Sequence, residues 1–316
     1  MASGQQLIRR SGPILPDSFH PWVTFGNTNV LRPGRNCFLV SVMTAADIAR
    51  KLGTFDQITP LGTPSGSGEC WKLERAAETL ALKVIVKYPD PERFDREVTA
   101  LQRVESPRVM CLRGFGTDLA AADGTEYSYL LSDFIDGGDV RSHLEAGSVP
   151  TDAELRGFLV GSLEGLGVLH EHQIIHRDFK PENVVLRGGS WSDPVVIDLG
   201  LSRLLDLTTL TVYPWAGGTW PYMAPEQLQG ERAIDRTDIW ALGVVADELA
   251  SGHHPFWRGE TSPPGDWDQR LKSGIVIPGG RPSALQALVD RAAAYPAYRR
   301  ASAAEALELV TNVWSC

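Results

Sequence analysis

Two kinds of pattern occupy two different parts of this chain. Strand-like runs lie between Phe55 and Ile135, and leucine-rich stripes of helical spacing follow from Thr151 onward. The early runs cover about Phe55 to Tyr88, Val109 to Phe115 and Tyr127 to Ile135. One helical stretch, about Pro91 to Val104, interrupts them. Pro91 suits a first helical turn, and Phe94, Glu97 and Leu101 fall on one face. Glu97 therefore points toward whatever Phe94 and Leu101 pack on. Thr151-Asp152-Ala153-Glu154 matches a capping box and opens a stripe of Leu155, Phe158, Leu159, Leu163, Leu166 and Leu169. Further helices are expected at 235–251, 283–294 and 302–313. Strands first and helices second predict an α+β fold of two lobes, a β-rich one over 55–135 and a larger helical one over 136–316.

Residues 1–54 differ from both lobes. Up to Arg35 they are rich in Gly, Pro and Asn, and Cys37 to Met43 reads as a short buried strand. Thr44-Ala45-Ala46-Asp47 has capping-box spacing and Gly53 supplies a stop, so 45–52 reads as a short helix. No chemistry is legible here. The segment is expected to be an extension packed against the main domain, with a partner-binding or autoregulatory role as the alternative.

The chain has 316 residues, a formal charge of −9, 43% hydrophobic and 22% charged residues, as in ordinary globular proteins. The negative charge argues against nucleic acid or an anionic membrane as the main partner. Cys37, Cys70, Cys111 and Cys316 show no metal-ligand spacing, which suggests free thiols in a reducing cytoplasm. The first residues lack the apolar core of a signal peptide, and no run approaches the roughly 20 apolar residues of a membrane helix.

The chemistry concentrates in His176-Arg177-Asp178-Phe179-Lys180-Pro181-Glu182-Asn183 and in Asp198-Leu199-Gly200, which follows the apolar run Val195-Val196-Ile197. Asp178 can accept or align a hydroxyl proton. Lys180 can neutralise a transferring phosphoryl group. Asn183 and Asp198 are oxygen ligands suited to Mg²⁺. Upstream, Leu61 to Lys72 holds Gly62, Gly66 and Gly68, which let backbone N–H groups approach phosphates. Lys83 sits in the apolar run Ala81-Leu82-Lys83-Val84, where an unpaired ammonium is costly. Nucleotide phosphates and Glu97 would relieve that cost.

Together these segments resemble the eukaryotic-like Ser/Thr protein kinases, over roughly 55–316. The loop at 176–183 is similar to the family's catalytic loop, Asp198-Leu199-Gly200 to its DFG motif, and Ala81-Leu82-Lys83 to its VAIK strand. Gly218-Thr219-Trp220-Pro221-Tyr222-Met223-Ala224-Pro225-Glu226 resembles the GTxxYMAPE docking segment, and Asp238-Ile239-Trp240-Ala241-Leu242-Gly243 the DxWxxG helix start. The late arginine that pairs with Glu226 is Arg299 or Arg300, with Arg300 favoured by register. Two departures stand out. The Gly-rich turn has one extra residue near Pro64, with Cys70 in place of the usual valine, and Leu199 replaces phenylalanine.

The resemblance implies a bilobal protein-kinase-like fold and an ATP-dependent protein serine/threonine kinase with ATP and Mg²⁺. Asp178 and Lys180 would be catalytic, and Asn183 and Asp198 would hold metal. Leu61, Gly62, Gly66, Gly68, Cys70, Lys83, Glu97, Ser132 and Asp133 would contact or support ATP, with Ser132 as a small gate behind the adenine. His176 is structural in that family. Arg177 before Asp178 accompanies control by phosphorylation of the activation segment, so Thr208, Thr209 or Thr211 is the expected phosphosite, modified by the enzyme itself. The expected partners are ATP and a protein substrate, without nucleic acid or membrane, and a transient homodimer is one route to autophosphorylation in trans. Two rival readings are a pseudokinase that binds nucleotide as a scaffold, and a small-molecule phosphotransferase. Intact charged positions weigh against the first. Lys180 and the docking segment weigh against the second.

Overall fold

The computed structural model describes residues 43–65, 68–86, 91–199, 220–277, 279 and 281–314. The chain divides into two units, Met1–Val40 and Ser41–Cys316, and all described residues belong to the second. The strand expected over Cys37 to Met43 lies almost wholly outside them.

Five antiparallel strands form the first lobe: β1 (Gln57–Ser65), β2 (Gly68–Arg75), β3 (Glu78–Val86), β4 (Leu112–Ala120) and β5 (Glu126–Asp133), in the order β1-β2-β3-β5-β4. The period of two on β3 makes this sheet two-sided. Leu80, Leu82 and Val84 enter one apolar cluster with Trp71, Leu73, Tyr127 and Tyr129. Ile85 enters another with Phe94, Val98 and Leu101 of helix α2 (Pro91–Gln102). Lys83 shares the face of Ile85, as the alternation requires.

The outer face is covered by helix α1 (Ala45–Leu52). Thr44 caps it in a capping box with Asp47, as the spacing predicts, and Gly53 ends it at φ 90°. Its Ile48 is fully buried in the cluster of Leu82, Leu119 and Tyr129.

Strand β4 begins three residues later than the expected start at Val109. Val109 instead bridges in parallel to Val196. The Met110 N–H donates to the Val196 carbonyl at 2.9 Å, and the Val196 N–H to the Arg108 carbonyl at 2.8 Å. The apolar run at 109–112 is thus spent on stitching the sheet lobe to the helical lobe. Irregular pairing near Gly114 and Gly116 lengthens β4 to Ala120, which a strict period-two pattern does not reveal.

The second lobe is helical: α3 (Val140–Glu145), α4 (Asp152–Glu171), α5 (Pro225–Leu228), α6 (Asp235–Ser251), α7 (Trp267–Lys272), α8 (Ser283–Ala292) and α9 (Ala303–Val313). The expected capping box at Thr151 forms, Ser302 caps α9 in the same way, and the whole α4 stripe from Leu155 to Leu169 is buried. Strands β6 (Val184–Leu186) and β7 (Pro194–Val196) pair antiparallel beside it. Gly165 on α4 permits the close approach of β7 and of the Arg108 backbone bonded to it, because a Cβ there would lie 3.1 Å from Val196 Cγ2 and 2.8 Å from the Arg108 carbonyl oxygen. The architecture is the expected bilobal α+β fold. Among the described residues no helix is long and apolar enough to cross a membrane.

Candidate active site

The β6–β7 hairpin brings the two polar segments together. Asn183 immediately precedes β6 and Asp198 follows β7 by two residues, and the Ile197 N–H donates to the Asn183 carbonyl at 2.9 Å. The loop before β6 is held from below by Asp238 on α6, which is 1% exposed. Its carboxylate accepts from the backbone N–H of His176 at 2.9 Å and of Arg177 at 2.7 Å, and from the His170 ring at 2.8 Å. Arg177 adopts a left-handed φ of 65°, a conformation that costs a non-glycine residue energy and needs outside support.

His176 is fully buried. Its Nδ1 accepts from the Asp178 N–H at 3.3 Å, so the ring proton sits on Nε2, which donates to the Ile197 carbonyl at 2.8 Å. One tautomer thus joins the 176–183 loop to the residue before Asp198, which is the structural part the resemblance implies.

Asp178 and its neighbours form a compact cluster. Lys180 Nζ lies 3.1 Å from Asp178 Oδ2. The Asn183 amide nitrogen donates to the Asp178 carbonyl at 2.8 Å and to Oδ2 at 3.1 Å. That orientation leaves Asn183 Oδ1 as the atom suited to a cation. Across the cleft, Lys83 Nζ donates to Asp198 Oδ1. Burial works against the Asp198 charge, but the Lys83 ammonium, aided by His176 and Lys180, outweighs it and holds the carboxyl below the usual aspartate range. Asp198 also sits at φ 57°, so each of the two polar segments has one residue, Arg177 or Asp198, held in left-handed backbone.

This donor set suits Mg²⁺. A carboxylate and a carboxamide are hard oxygen ligands, and Lys83 already places one cation against Asp198. Among the described residues no cluster of three or more His, Cys, Asp or Glu could hold a metal unaided. An ion that shares its shell with phosphates needs only one or two carboxylates.

On the sheet side, Lys83 pairs in register with Cys70 of β2 and Leu130 of β5, and Cys70 lies opposite Leu61 of β1. Leu61, Cys70, Lys83 and Leu130 therefore form one row across four strands, and Gly62, next to Leu61, sits at φ 70°. Gly68 has a packing reason to be glycine, since its Cβ would lie 2.1 Å from the Val84 carbonyl oxygen. Gly66 lies outside the described residues. Ser132 is buried on β5, between Ala81 of β3 and Leu112 of β4. The Asp133 carboxylate turns away to Arg113, which donates to it at 2.6 and 2.7 Å. Its N–H donates to the Cys111 carbonyl at 3.1 Å, so its own carbonyl is what it can offer a ligand. Glu97 lies in α2 beside the buried Phe94 and Val98, but its side chain is outside what is described.

Thr208, Thr209, Thr211 and Thr219 also lie outside the described residues. From Trp220 onward the docking segment is anchored at several points. Gln227 donates to the Arg177 carbonyl at 2.9 Å. Glu226 accepts two bonds from Arg300, at 2.7 and 2.8 Å, and one from the Thr237 hydroxyl at 2.7 Å. Arg300 is thus the late arginine, and Arg299 instead lies over the Tyr298 ring. Sequence reasoning missed Arg141, which reaches Glu182, Tyr222 and Glu248, because nothing in local spacing marks a lone arginine on a short helix.

Comparison with known proteins agrees with this geometry. The serine/threonine-protein kinase pkn2 of Myxococcus xanthus is 30% identical over 225 residues, covering 68% of this chain and 26% of that protein. The LRR receptor-like serine/threonine-protein kinase FEI 2 of Arabidopsis thaliana is 31% identical over 216 residues, covering 66% and 35%. The probable serine/threonine-protein kinase PkwA of Thermomonospora curvata is 32% identical over 215 residues, covering 65% and 27%. The chain thus matches about a quarter to a third of the length of these relatives. The family model described as protein kinase domain matches residues 61–310. Fold, loop geometry and this match lead to one conclusion: the chain belongs to the protein kinase family.

Proposed function

We propose that this protein transfers the γ-phosphoryl group of ATP to serine and threonine hydroxyls of proteins. The observation that carries the reading is the cluster in which Lys180 and Asn183 each lie 3.1 Å from the Asp178 carboxylate, across from a paired Lys83 and Asp198. Asp178 aligns the substrate hydroxyl and takes its proton. Lys180, already beside Asp178, stabilises charge on the transferred group. Lys83 exchanges Asp198 for the α- and β-phosphates of ATP, braced by Glu97 from α2. Asn183 and Asp198 would hold Mg²⁺, which neutralises phosphate charge when bound. Leu61, Gly62, Gly66, Gly68 and Cys70 cover the nucleotide, while Ser132 and the Asp133 carbonyl border the adenine. Within the 1–54 segment, α1 is the part that packs on the 55–135 lobe. Positioning and charge stabilisation supply most of the rate.

The relatives' names support serine and threonine as acceptors. Autophosphorylation on Thr208, Thr209 or Thr211, in a transient homodimer, and a cytoplasmic location belong to the same proposal. The test is incubation with labelled ATP, Mg²⁺ and casein or myelin basic protein. Label should appear on phosphoserine or phosphothreonine and vanish in both Lys83→Ala and Asp178→Asn proteins. Metal-dependent ATP binding without any transfer would favour the pseudokinase scaffold instead. Phosphopeptide mapping that finds no modified threonine in the fully active protein would remove the autophosphorylation part alone.

A further inference from the structure

The Arg141 guanidinium ties three segments of the site together from α3. Its Nε donates to Glu182 Oε1 at 3.0 Å, its Nη1 to Glu248 Oε1 at 2.9 Å, and its Nη2 to the Tyr222 hydroxyl. That hydroxyl donates in turn to Glu248 Oε2 at 2.6 Å, so donors and acceptors alternate around the network. Each partner has its own place in the site. Glu182 is the residue before Asn183. Tyr222 lies in the docking segment, four residues before Glu226. Glu248 sits on α6, the helix that also carries Asp238.

The environment makes these contacts strong. Glu248 and Tyr222 are buried, and the Arg141 side chain is 24% exposed. Burial disfavours the arginine's charge, but Tyr222, Glu248 and Glu182 more than offset it and push its pKa up. Burial and the Glu248 carboxylate push the Tyr222 hydroxyl up as well, so it stays protonated and able to bridge. A planar fork can serve three acceptors at once, whereas a lysine ammonium is a point charge.

We propose that Arg141 is a positioning residue for the protein-substrate end of the site, which holds the 178–183 loop and the 220–226 segment in one register on α6. The proposal rests on the protein-kinase reading. Of the nucleotide side only Asn183 lies in the held loop, and it keeps its own bonds to Asp178; Lys83, on β3, and Asp198, after β7, belong to other elements, so ATP binding should change far less than turnover. Loss of Arg141 also strands the buried Glu248 carboxylate, which gives the two segments reason to separate.

The test uses Arg141→Met and Arg141→Lys proteins in the full chain, with two readouts. The first is amide hydrogen exchange of 176–183 and 220–226 without substrate. Both segments should exchange faster in Arg141→Met, with Arg141→Lys between it and the wild type. The second is steady-state kinetics with casein. Its kcat/KM should fall about tenfold in Arg141→Met and recover partly in Arg141→Lys, while the ATP dissociation constant stays within about twofold. If Arg141→Met does not fold, Arg141→Lys carries both readouts. Unchanged exchange in both segments, or a loss of ATP affinity as large as the loss of kcat/KM, would overturn the proposal. A wild-type chain that labels no protein would overturn the kinase reading, and hydrogen exchange would still decide whether Arg141 couples the segments.

Discussion

Replacing Asp238 with asparagine should disable turnover and leave nucleotide binding nearly intact. The carboxylate is 1% exposed and accepts the N–H groups of His176 and Arg177 at 2.9 and 2.7 Å. Arg177 has a φ of 65°, which costs a non-glycine residue ~1–2 kcal/mol. A hydrogen bond to a charged group contributes ~1.5–3 kcal/mol. The two backbone bonds together therefore exceed the strain by roughly 1–5 kcal/mol. Asparagine keeps one acceptor and turns an NH₂ toward a group that also donates. One bond is lost, a buried donor is left unsatisfied at a cost of ~1–3 kcal/mol, and the strained loop can relax. Asp178 moves with it. Because a misplacement of about 1 Å can cost ~10²-fold in rate, kcat should fall by about that factor. Initial rates with casein at saturating ATP give kcat, and calorimetric titration gives the ATP dissociation constant. A kcat within about twofold of wild type would refute the reasoning. So would a loss of ATP affinity equal to the loss of kcat, because Asp238 bonds His170, His176 and Arg177 and neither Lys83 nor Asp198.

Three further outcomes follow from the geometry. Arg300→Met should destabilise the helical lobe by ~3–5 kcal/mol in urea unfolding, because it leaves Glu226 buried and unpaired, and adding Glu226→Gln should recover part of that. Burial alone would raise the Glu226 carboxyl, but Arg300 holds it below its ordinary value of 4.5. Its stabilisation is therefore complete above about pH 4.5 and lost as pH falls through the lower folded value. An Arg300→Met protein that keeps the same acid-side loss would contradict this. Ile48→Ala should lower stability by ~2–5 kcal/mol, read by thermal unfolding, since Ile48 is fully buried under the sheet; a change below ~0.5 kcal/mol would mean α1 is not seated there. A compound with a bulky group reaching behind the adenine should inhibit the wild type and fail against Ser132→Phe. Equal inhibition of both would show that Ser132 does not gate that pocket.

Much of this site was legible because its chemistry is local in sequence. Asp178, Lys180 and Asn183 fall within six consecutive residues, and a capping box declares the helix starts at Thr44 and Thr151 within four. The Glu226 partner was narrowed to two arginines with Arg300 favoured by register, and packing settles it, since Arg300 is buried over Trp240. The illegible parts depend on contacts between distant residues. Arg141 and Glu248 stand 107 positions apart. The apolar run at 109–112 looks like a strand but bridges to Val196, a use that no period reveals. Gly68 reads as a phosphate-approach glycine, whereas the closest constraint on it is the Val84 carbonyl of the neighbouring strand. Short α3 and α7 carry too few turns to show a stripe.

The role of Asp178 carries the whole account, and one comparison tests it directly. In Asp178→Ala, phosphoryl transfer to casein should fall by ~10²–10⁴-fold, the contribution of a positioned base. ATP affinity should stay within about threefold of wild type. A protein that instead loses mainly its ATP affinity, with turnover at saturating ATP preserved, would contradict the assignment of Asp178 as the residue that aligns the attacking hydroxyl.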